Sequence, residues 1–87
     1  LVGSEMCKET DYYAEEASIY VRQQKYEDAL KSIERAIAIA PDFGACYRLR
    51  GVCYVRLKKK TEACEAFNKA KELGDPLAGK LIKEHCK

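Results

Sequence analysis

One pattern of aromatic and small residues occurs twice in this chain, at a separation of 34 residues. The second copy consists of Tyr47, Gly51, Tyr54, Ala63, Phe67 and Ala70, followed by Gly74, Asp75 and Pro76. The first copy has residues of the same character 34 positions earlier: Tyr13, Ala17, Tyr20, Ala29, Ile33 and Ala36, followed by Pro41. An internal repeat of this length predicts supersecondary units that stack and bury their apolar faces against one another.

Each copy divides into two segments whose apolar residues recur at helical spacing, which predicts two helices per copy. The expected helices run from about Asp11 to Gln23, from Glu27 to Ala40, from Gly44 to Leu57, and from the N-cap Thr61 to Leu73. Pro41 and Gly74 end the second helix of each copy. A fifth helix is expected over residues 77–86, with Leu77, Leu81 and Ile82 on one side.

This pattern resembles the tetratricopeptide repeat, whose signature is aromatic, small, aromatic, Ala, aromatic or apolar, Ala and Pro across 34 residues. The resemblance implies an all-α superhelix of antiparallel helix pairs with five helices. The chain departs from the family at Gln24, where Gly is usual. The organisation implied is an extension at 1–9, a first repeat at 10–43, a second at 44–77 and a capping helix at 78–87.

Composition restricts the classes of function. Hydrophobic residues make up 47% and charged residues 34%, as in globular proteins, and a net charge of +2 argues against a strong nucleic-acid binder. No apolar run approaches the length of about 18 residues that spans a membrane. The chain has no Gly-rich phosphate loop and no motif of a Cys/His hydrolase, so neither catalysis nor a cofactor is expected.

Because Leu1 is not Met, we expect a fragment, a processed product or a tagged chain, with 1–9 as a cloning remnant or the start of the first helix.

Four of the five cysteines fall into two groups. Cys46 and Cys53 lie seven residues apart on one helix, about 10.5 Å along its axis, which is too far for a disulfide, and are expected as core residues. Cys64 and Cys86 each lie eleven residues from Asp75, so a hairpin turning there would make them neighbours. Bacterial tetratricopeptide proteins have a similar Ala-Cys, Gly-Asp turn and terminal Cys-Lys. That resemblance implies a cap-stapling disulfide in an exported or periplasmic protein, and a packed thiol pair in a cytoplasmic one.

Zinc is the rival interpretation of Cys64, Cys86 and His85. Structural zinc sites use ligand pairs such as C-x-x-C, and no such pair occurs here. His85 is more simply a cation close to the negative end of a helix dipole. No metal site is expected.

Charge is distributed unevenly: the first helix is acidic, whereas 44–61 contains arginines and lysines and no acid. The resemblance implies that Glu16 and Arg50, at equivalent positions of adjacent helices, form an ion pair. It also implies a concave face for ligands, made of Asp11, Ala14, Ser18, Val21 and Arg22 in the first repeat and of Ala45, Arg48, Val52, Val55 and Arg56 in the second. Arg48 and Arg56 are the preferred ligand-binding residues, with a solvated face as the alternative.

The function that these features imply is a non-catalytic scaffold that binds a protein or an extended, acidic peptide. The carboxylate clamp of one sub-family is not expected, because its positions hold Ala14, Ser18 and Leu49. Two alternatives stay open. In the first, the chain is a unit that self-associates or stacks into an array. In the second, its basic stripe at 48–60 binds RNA or an anionic surface. The 35-residue RNA-binding repeats fit less well, because the period here is 34.

Overall fold

The computed structural model describes residues 2–86, and the side chains of residues 11–86. Its helices are α1 (Val2–Arg22), α2 (Tyr26–Ile39), α3 (Gly44–Arg56), α4 (Lys60–Glu72) and α5 (Ala78–His85). No strand occurs in this part of the chain. The predicted all-α class with five helices is therefore confirmed, and residues 2–9 continue the first helix toward the N-terminus.

The helices stack in chain order. α1 packs along α2 and α3 packs along α4, so each copy of the repeat forms one hairpin. The hairpins are joined by contacts of α2 and α1 with α3, and α5 packs on α4. The result is a short row of helices with extents of 44 × 27 × 16 Å. α1 and α5 lie at its two ends, and α1, α3 and α5 run in the same direction.

The core forms where the repeat pattern places small and apolar residues. Fully buried alanines of α1 and α2 cluster with Ile33, Cys46 and Cys53, so the two cysteines are core residues as predicted. In the second hairpin Phe67 is fully buried against Gly51. A Cβ on Gly51 would lie 2.6 Å from Cδ1 of Phe67, which is closer than side-chain carbons approach. Glycine is thus required there.

Three helices end in the same hydrogen-bonded turn. Residues 24, 58 and 74 adopt positive φ angles of 63°, 63° and 92°. The residue after each donates its N–H to a carbonyl five residues earlier, at 2.8, 2.8 and 3.0 Å. This pairing is the Schellman motif, which usually has Gly at the left-handed position. Gln24 and Lys58 adopt that conformation without being glycine.

Two predicted helix starts were wrong by one or two residues. Thr61 is not the N-cap of α4, since α4 begins at Lys60 and Lys59 occupies the cap position. The turn at Lys58 reverses the chain at once, so that the Lys59 carbonyl already accepts from the Ala63 N–H at 3.0 Å. α5 begins at Ala78, one residue after the predicted start, and the carboxylate of Asp75 accepts the N–H of Leu77 at 2.9 Å.

Candidate functional site

The residues predicted to bind a ligand lie on α1 and α3, which are in contact with each other. In both helices they recur at intervals of three or four residues, so they share one face of each helix. We call this surface the α1–α3 face. Its floor is half-buried and apolar, and its exposed charged residues are Asp11, Arg22 and Arg56. The floor consists of Ala14, Val21, Ala45, Val52 and Val55, with the half-buried Ser18 beside it.

Arg48, also on this face, is engaged in an ion pair. Its Nε donates to Oδ2 of Asp75 at 2.7 Å, and the side chains of Arg48 and Asp75 are 26% and 4% exposed. The pair joins α3 to the turn between α4 and α5. Since the Asp75 carboxylate is nearly buried, loss of Arg48 would leave a buried charge without its partner. Arg48 therefore has a structural role, whatever it contributes to ligand binding.

Arg22 and Arg56 are arranged differently. Both are exposed and both occupy the last turn of a helix, where a cation is favoured by the helix dipole. Among the side chains of residues 11–86, neither has a carboxylate within 4.0 Å. The two guanidinium groups are thus available to an external anion.

A basic cavity opens at the C-terminal end of α3. It is lined by Val55, Lys58, Lys60 and His85. Lys58 is held by the Schellman turn, and the His85 ring stacks on Phe67 with centroids 5.9 Å apart. The sequence predicted a basic stripe but not this cavity, because His85 reaches it only through the packing of α5. The Cys64–Cys86 pairing was the one signal that could have placed His85 near the start of α4.

An apolar groove lies at the other end of α3. Its apolar lining includes Phe43, Ala45, Leu73 and Leu77, and the ion-paired Arg48 is also part of it. The groove was not predicted from the sequence, since it is formed jointly by the α2–α3 and α4–α5 turns. The α1–α3 face therefore runs between an apolar end and a basic end.

The predicted ion pair between Glu16 and Arg50 is wrong. Oε1 of Glu16 accepts a hydrogen bond from the Ser32 hydroxyl at 2.6 Å. The guanidinium of Arg50 lies 5.7 Å from the centre of the Tyr54 ring and donates weakly to its hydroxyl at 3.4 Å. Each side chain thus finds its partner within its own hairpin, where the chain geometry already places the two groups together.

Cys64 and Cys86 are joined by a disulfide, with their Cα atoms 5.8 Å apart. The bond attaches the end of α5 to the start of α4 across a separation of 22 residues. Within the described residues, no group of three or more His, Cys, Asp or Glu side chains is arranged to hold a metal ion. His85 instead contacts Phe67 and the neighbouring Glu84, 3.9 Å away.

The thiols of Cys46 and Cys53 are poor nucleophiles. Burial raises the pKa of Cys46 to about 11, with a smaller contribution from the Asp11 carboxylate, and burial raises the pKa of Cys53 to about 11. A thiol reacts as the thiolate. Both cysteines are therefore inert near neutral pH, as expected of core residues.

Comparison with known proteins agrees with this geometry. The family described as Tetratricopeptide repeat matches residues 15–78. The chain belongs to the tetratricopeptide repeat family. Tetratricopeptide repeats are generally protein-interaction scaffolds and typically non-catalytic.

A curated relative is the DnaJ homolog subfamily C member 3 homolog of Dictyostelium discoideum, 42% identical over 57 residues. The match covers 61% of this tetratricopeptide chain and 11% of the relative, so the chain spans only a small part of that protein's length. Among the helices of residues 2–86, none has the length and apolar character needed to cross a membrane.

Proposed function

We propose that this chain is a non-catalytic module that binds an extended acidic peptide along the α1–α3 face. The observation that supports this function is the arrangement of the charges on that face. The apolar floor leads to two exposed arginines at the C-terminal ends of α1 and α3, neither of which has a carboxylate partner among residues 11–86, and the basic cavity adjoins the same end.

The chemistry of this surface suits a peptide with apolar and acidic side chains. Apolar side chains would cover Val21, Val52 and Val55, and carboxylates would bind Arg22 and Arg56. Hydrogen bonds between charged groups are about twice as strong as neutral ones, and arginine can bind a carboxylate through two of them. Lys58 and Lys60 extend the positive region into the cavity.

Arg48 would act mainly by shaping the surface. Its Nε is held by Asp75, which fixes the guanidinium at the boundary between the floor and the apolar groove. The remaining N–H donors can still contact a ligand. Substitution of Arg48 would alter the fold and the surface together, so it is a poor residue with which to test binding.

The experiment begins with selection of binders from a random library of displayed 12-residue peptides. The selected peptide is labelled, and its Kd is measured by fluorescence anisotropy. We expect selected peptides to be enriched in Asp and Glu. We expect Arg56→Glu to weaken binding by roughly tenfold or more, since it converts a charge-assisted contact into a repulsion. The matched control is Lys69→Glu, an exposed lysine on α4 away from this face.

Equal effects of Arg56→Glu and Lys69→Glu would contradict the proposed site, because only the net charge would then matter. Selected peptides without acidic residues would contradict the proposed ligand class. A single-stranded RNA that competes fully with the peptide and binds with a steep dependence on salt would instead indicate a nucleic-acid module.

A further inference from the structure

The basic cavity is built from two parts of the chain that are held in different ways. Val55, Lys58 and Lys60 lie within six consecutive residues, at the end of α3 and the start of α4. The backbone hydrogen bonds of the Schellman turn fix this segment. Among the described residues that line the cavity, only His85 comes from α5. The cavity is therefore complete only while the end of α5 stays on α4.

Few non-covalent contacts hold that end of α5. The buried residue of the helix is Ala78, which lies at its opposite end, about 10 Å along the axis from His85. Closer to the cavity, Leu81 and Ile82 are only half-buried, and the His85 ring is stacked on Phe67. A helix of eight residues is not stable in water by itself, so its position depends on what attaches it to α4.

The Cys64–Cys86 disulfide provides this attachment at the cavity itself. Cys86 directly follows His85, and Cys64 lies about one turn after Lys60 at the start of α4. The bond thus joins the two parts of the cavity wall, with the Cα atoms of the two cysteines 5.8 Å apart. Both cysteines are half-buried rather than buried, which leaves the bond open to a small reductant.

We propose that the oxidation state of Cys64 and Cys86 controls ligand binding at the basic end of the α1–α3 face. This inference rests on the proposed function, since it concerns the same acidic peptide. A thiolate of a dithiol such as dithiothreitol attacks one sulfur of the disulfide, which forms a mixed disulfide and releases the other cysteine. The second thiol of the reductant then displaces the remaining cysteine and closes a cyclic disulfide. Two electrons pass to the protein, and the two cysteines take up the protons that the dithiol loses.

Reduction would remove one wall of the cavity and leave its lysines in place. The last turn of α5 detaches, and His85 leaves Phe67. Lys58 and Lys60 stay on the α3–α4 turn but are then surrounded by water, whose high dielectric constant weakens their attraction for a bound carboxylate. Glu84 moves away as well, but it is exposed and is not among the described residues that line the cavity, so its repulsion is screened. The oxidised chain therefore has the higher affinity for the acidic peptide.

The first test compares the oxidised and the reduced 87-residue chain by NMR. We expect the helical Cα secondary shifts of residues 78–85 to fall toward random-coil values on reduction, and those of α2 to stay helical. The double variant Cys64→Ser/Cys86→Ser is the control. It should match the reduced chain both with and without dithiothreitol.

The second test measures the Kd of the selected acidic peptide for both oxidation states by fluorescence anisotropy. Reduction should weaken binding by roughly three- to tenfold, the scale of one or two charge contacts at a partly exposed site. The variant Lys58→Gln/Lys60→Gln should bind less tightly in the oxidised state. It should respond to reduction by less than about twofold, because the contacts that reduction weakens are already absent.

An α5 that stays helical on reduction would overturn the proposal, and so would loss of the helical shifts of α2, since the whole chain would then unfold. Equal Kd values in the two states would also overturn it, because the peptide would not use the cavity. Tighter binding on reduction would do the same, by showing that the loss of Glu84 outweighs the loss of the wall. A chain that binds no acidic peptide in either state would contradict the proposed function and the control of binding with it, whereas the release of α5 is decided by the chemical shifts alone.

Discussion

The two hairpins of this chain have equivalent helices but differ at their closest contact. In the first, Ala17 of α1 and Ile33 of α2 are fully buried in one cluster. In the second, Gly51 of α3 lies directly against the ring of Phe67 on α4. A larger side chain on one helix is thus accompanied by a smaller residue on the other. The comparison shows that the repeat preserves the volume of a pair of residues rather than either residue alone.

The hairpins also differ in how their outer surfaces are covered. α2 is covered by α3 through non-covalent packing, whereas α4 is covered by the short α5, which is attached by the Cys64–Cys86 disulfide. An eight-residue helix is too short to be stable by itself in water. The covalent link therefore compensates for the small size of the element that closes the second hairpin.

The largest effect is expected from removing this link. Cys86→Ser should lower the free energy of unfolding by about 3 kcal/mol, because the disulfide no longer closes a loop of this length in the unfolded chain, whose conformational entropy then rises. The melting temperature without reductant should fall by about 10 °C or more. With reductant, the variant and the unmodified chain should melt close together. Equal melting temperatures in the absence of reductant would show that the disulfide does not stabilise the second hairpin.

The next effect tests the exchange of volume between the hairpins. Gly51→Ala should cost about 1–3 kcal/mol through overpacking against Phe67, partly offset by about 1 kcal/mol of better helix propensity. The double variant Gly51→Ala/Phe67→Ile reproduces the Ala17/Ile33 pair and should recover most of the loss from Gly51→Ala. Urea unfolding of both single variants and the double variant measures the coupling. Strict additivity would mean that the two positions do not share one space.

These contacts also show why much of the fold could be predicted. The positions of Ala29, Ala63 and Phe67 follow from the repeat period, and the core depends on that period directly. Other contacts depend on the precise course of the backbone. Arg48 and Asp75 meet only because the turn after α4 returns to α3, which no local pattern encodes.

Two further features of the candidate site escaped prediction for similar reasons. Glu16 was expected to reach Arg50 because family geometry places the two helices side by side. The Ser32 hydroxyl on α2 takes that carboxylate instead. The basic cavity could be predicted only from the position of His85, at the end of α5. Tertiary packing decides which of two nearby groups a side chain bonds to, and it also decides where a short terminal helix lies.

A smaller effect is expected at the turns that end α1 and α3. Gln24→Gly and Lys58→Gly should each stabilise the chain by about 0.5–1 kcal/mol, because glycine adopts positive φ without steric cost. The gain is limited by the greater flexibility of glycine in the unfolded chain. Chemical denaturation gives the free energy of unfolding of each of the two variants. Gln23→Gly, one residue earlier and without a positive φ, is the control and should not stabilise. Destabilisation by both glycines would mean that the side chains contribute contacts which outweigh the strain.

The smallest effect is expected at Cys46 and Cys53, the buried equivalents of Tyr12 and Ile19. The fifth cysteine, Cys7, is first replaced by serine so that it does not react. In this background, native labelling by iodoacetamide should stay slight as the pH rises from 7 to 9. With a pKa of about 11, at most about 1% of each thiol is ionised at pH 9, against about half of a thiol with a pKa of 9. Labelling of each cysteine is followed by peptide mass spectrometry, with urea-unfolded protein as the control.

The same pKa shift has a consequence for stability. The folded state holds the two thiol protons more tightly than the unfolded state, so the stability that they contribute is complete below pH 9 and declines as the pH rises toward 11. Rapid native labelling at pH 9 with an unchanged circular dichroism spectrum would show that the packing of α3 on the first hairpin opens locally. The contrast between the buried cysteines of α3 and their exposed equivalents in α1 would then be one of degree, since both would be accessible to solvent on the timescale of the labelling.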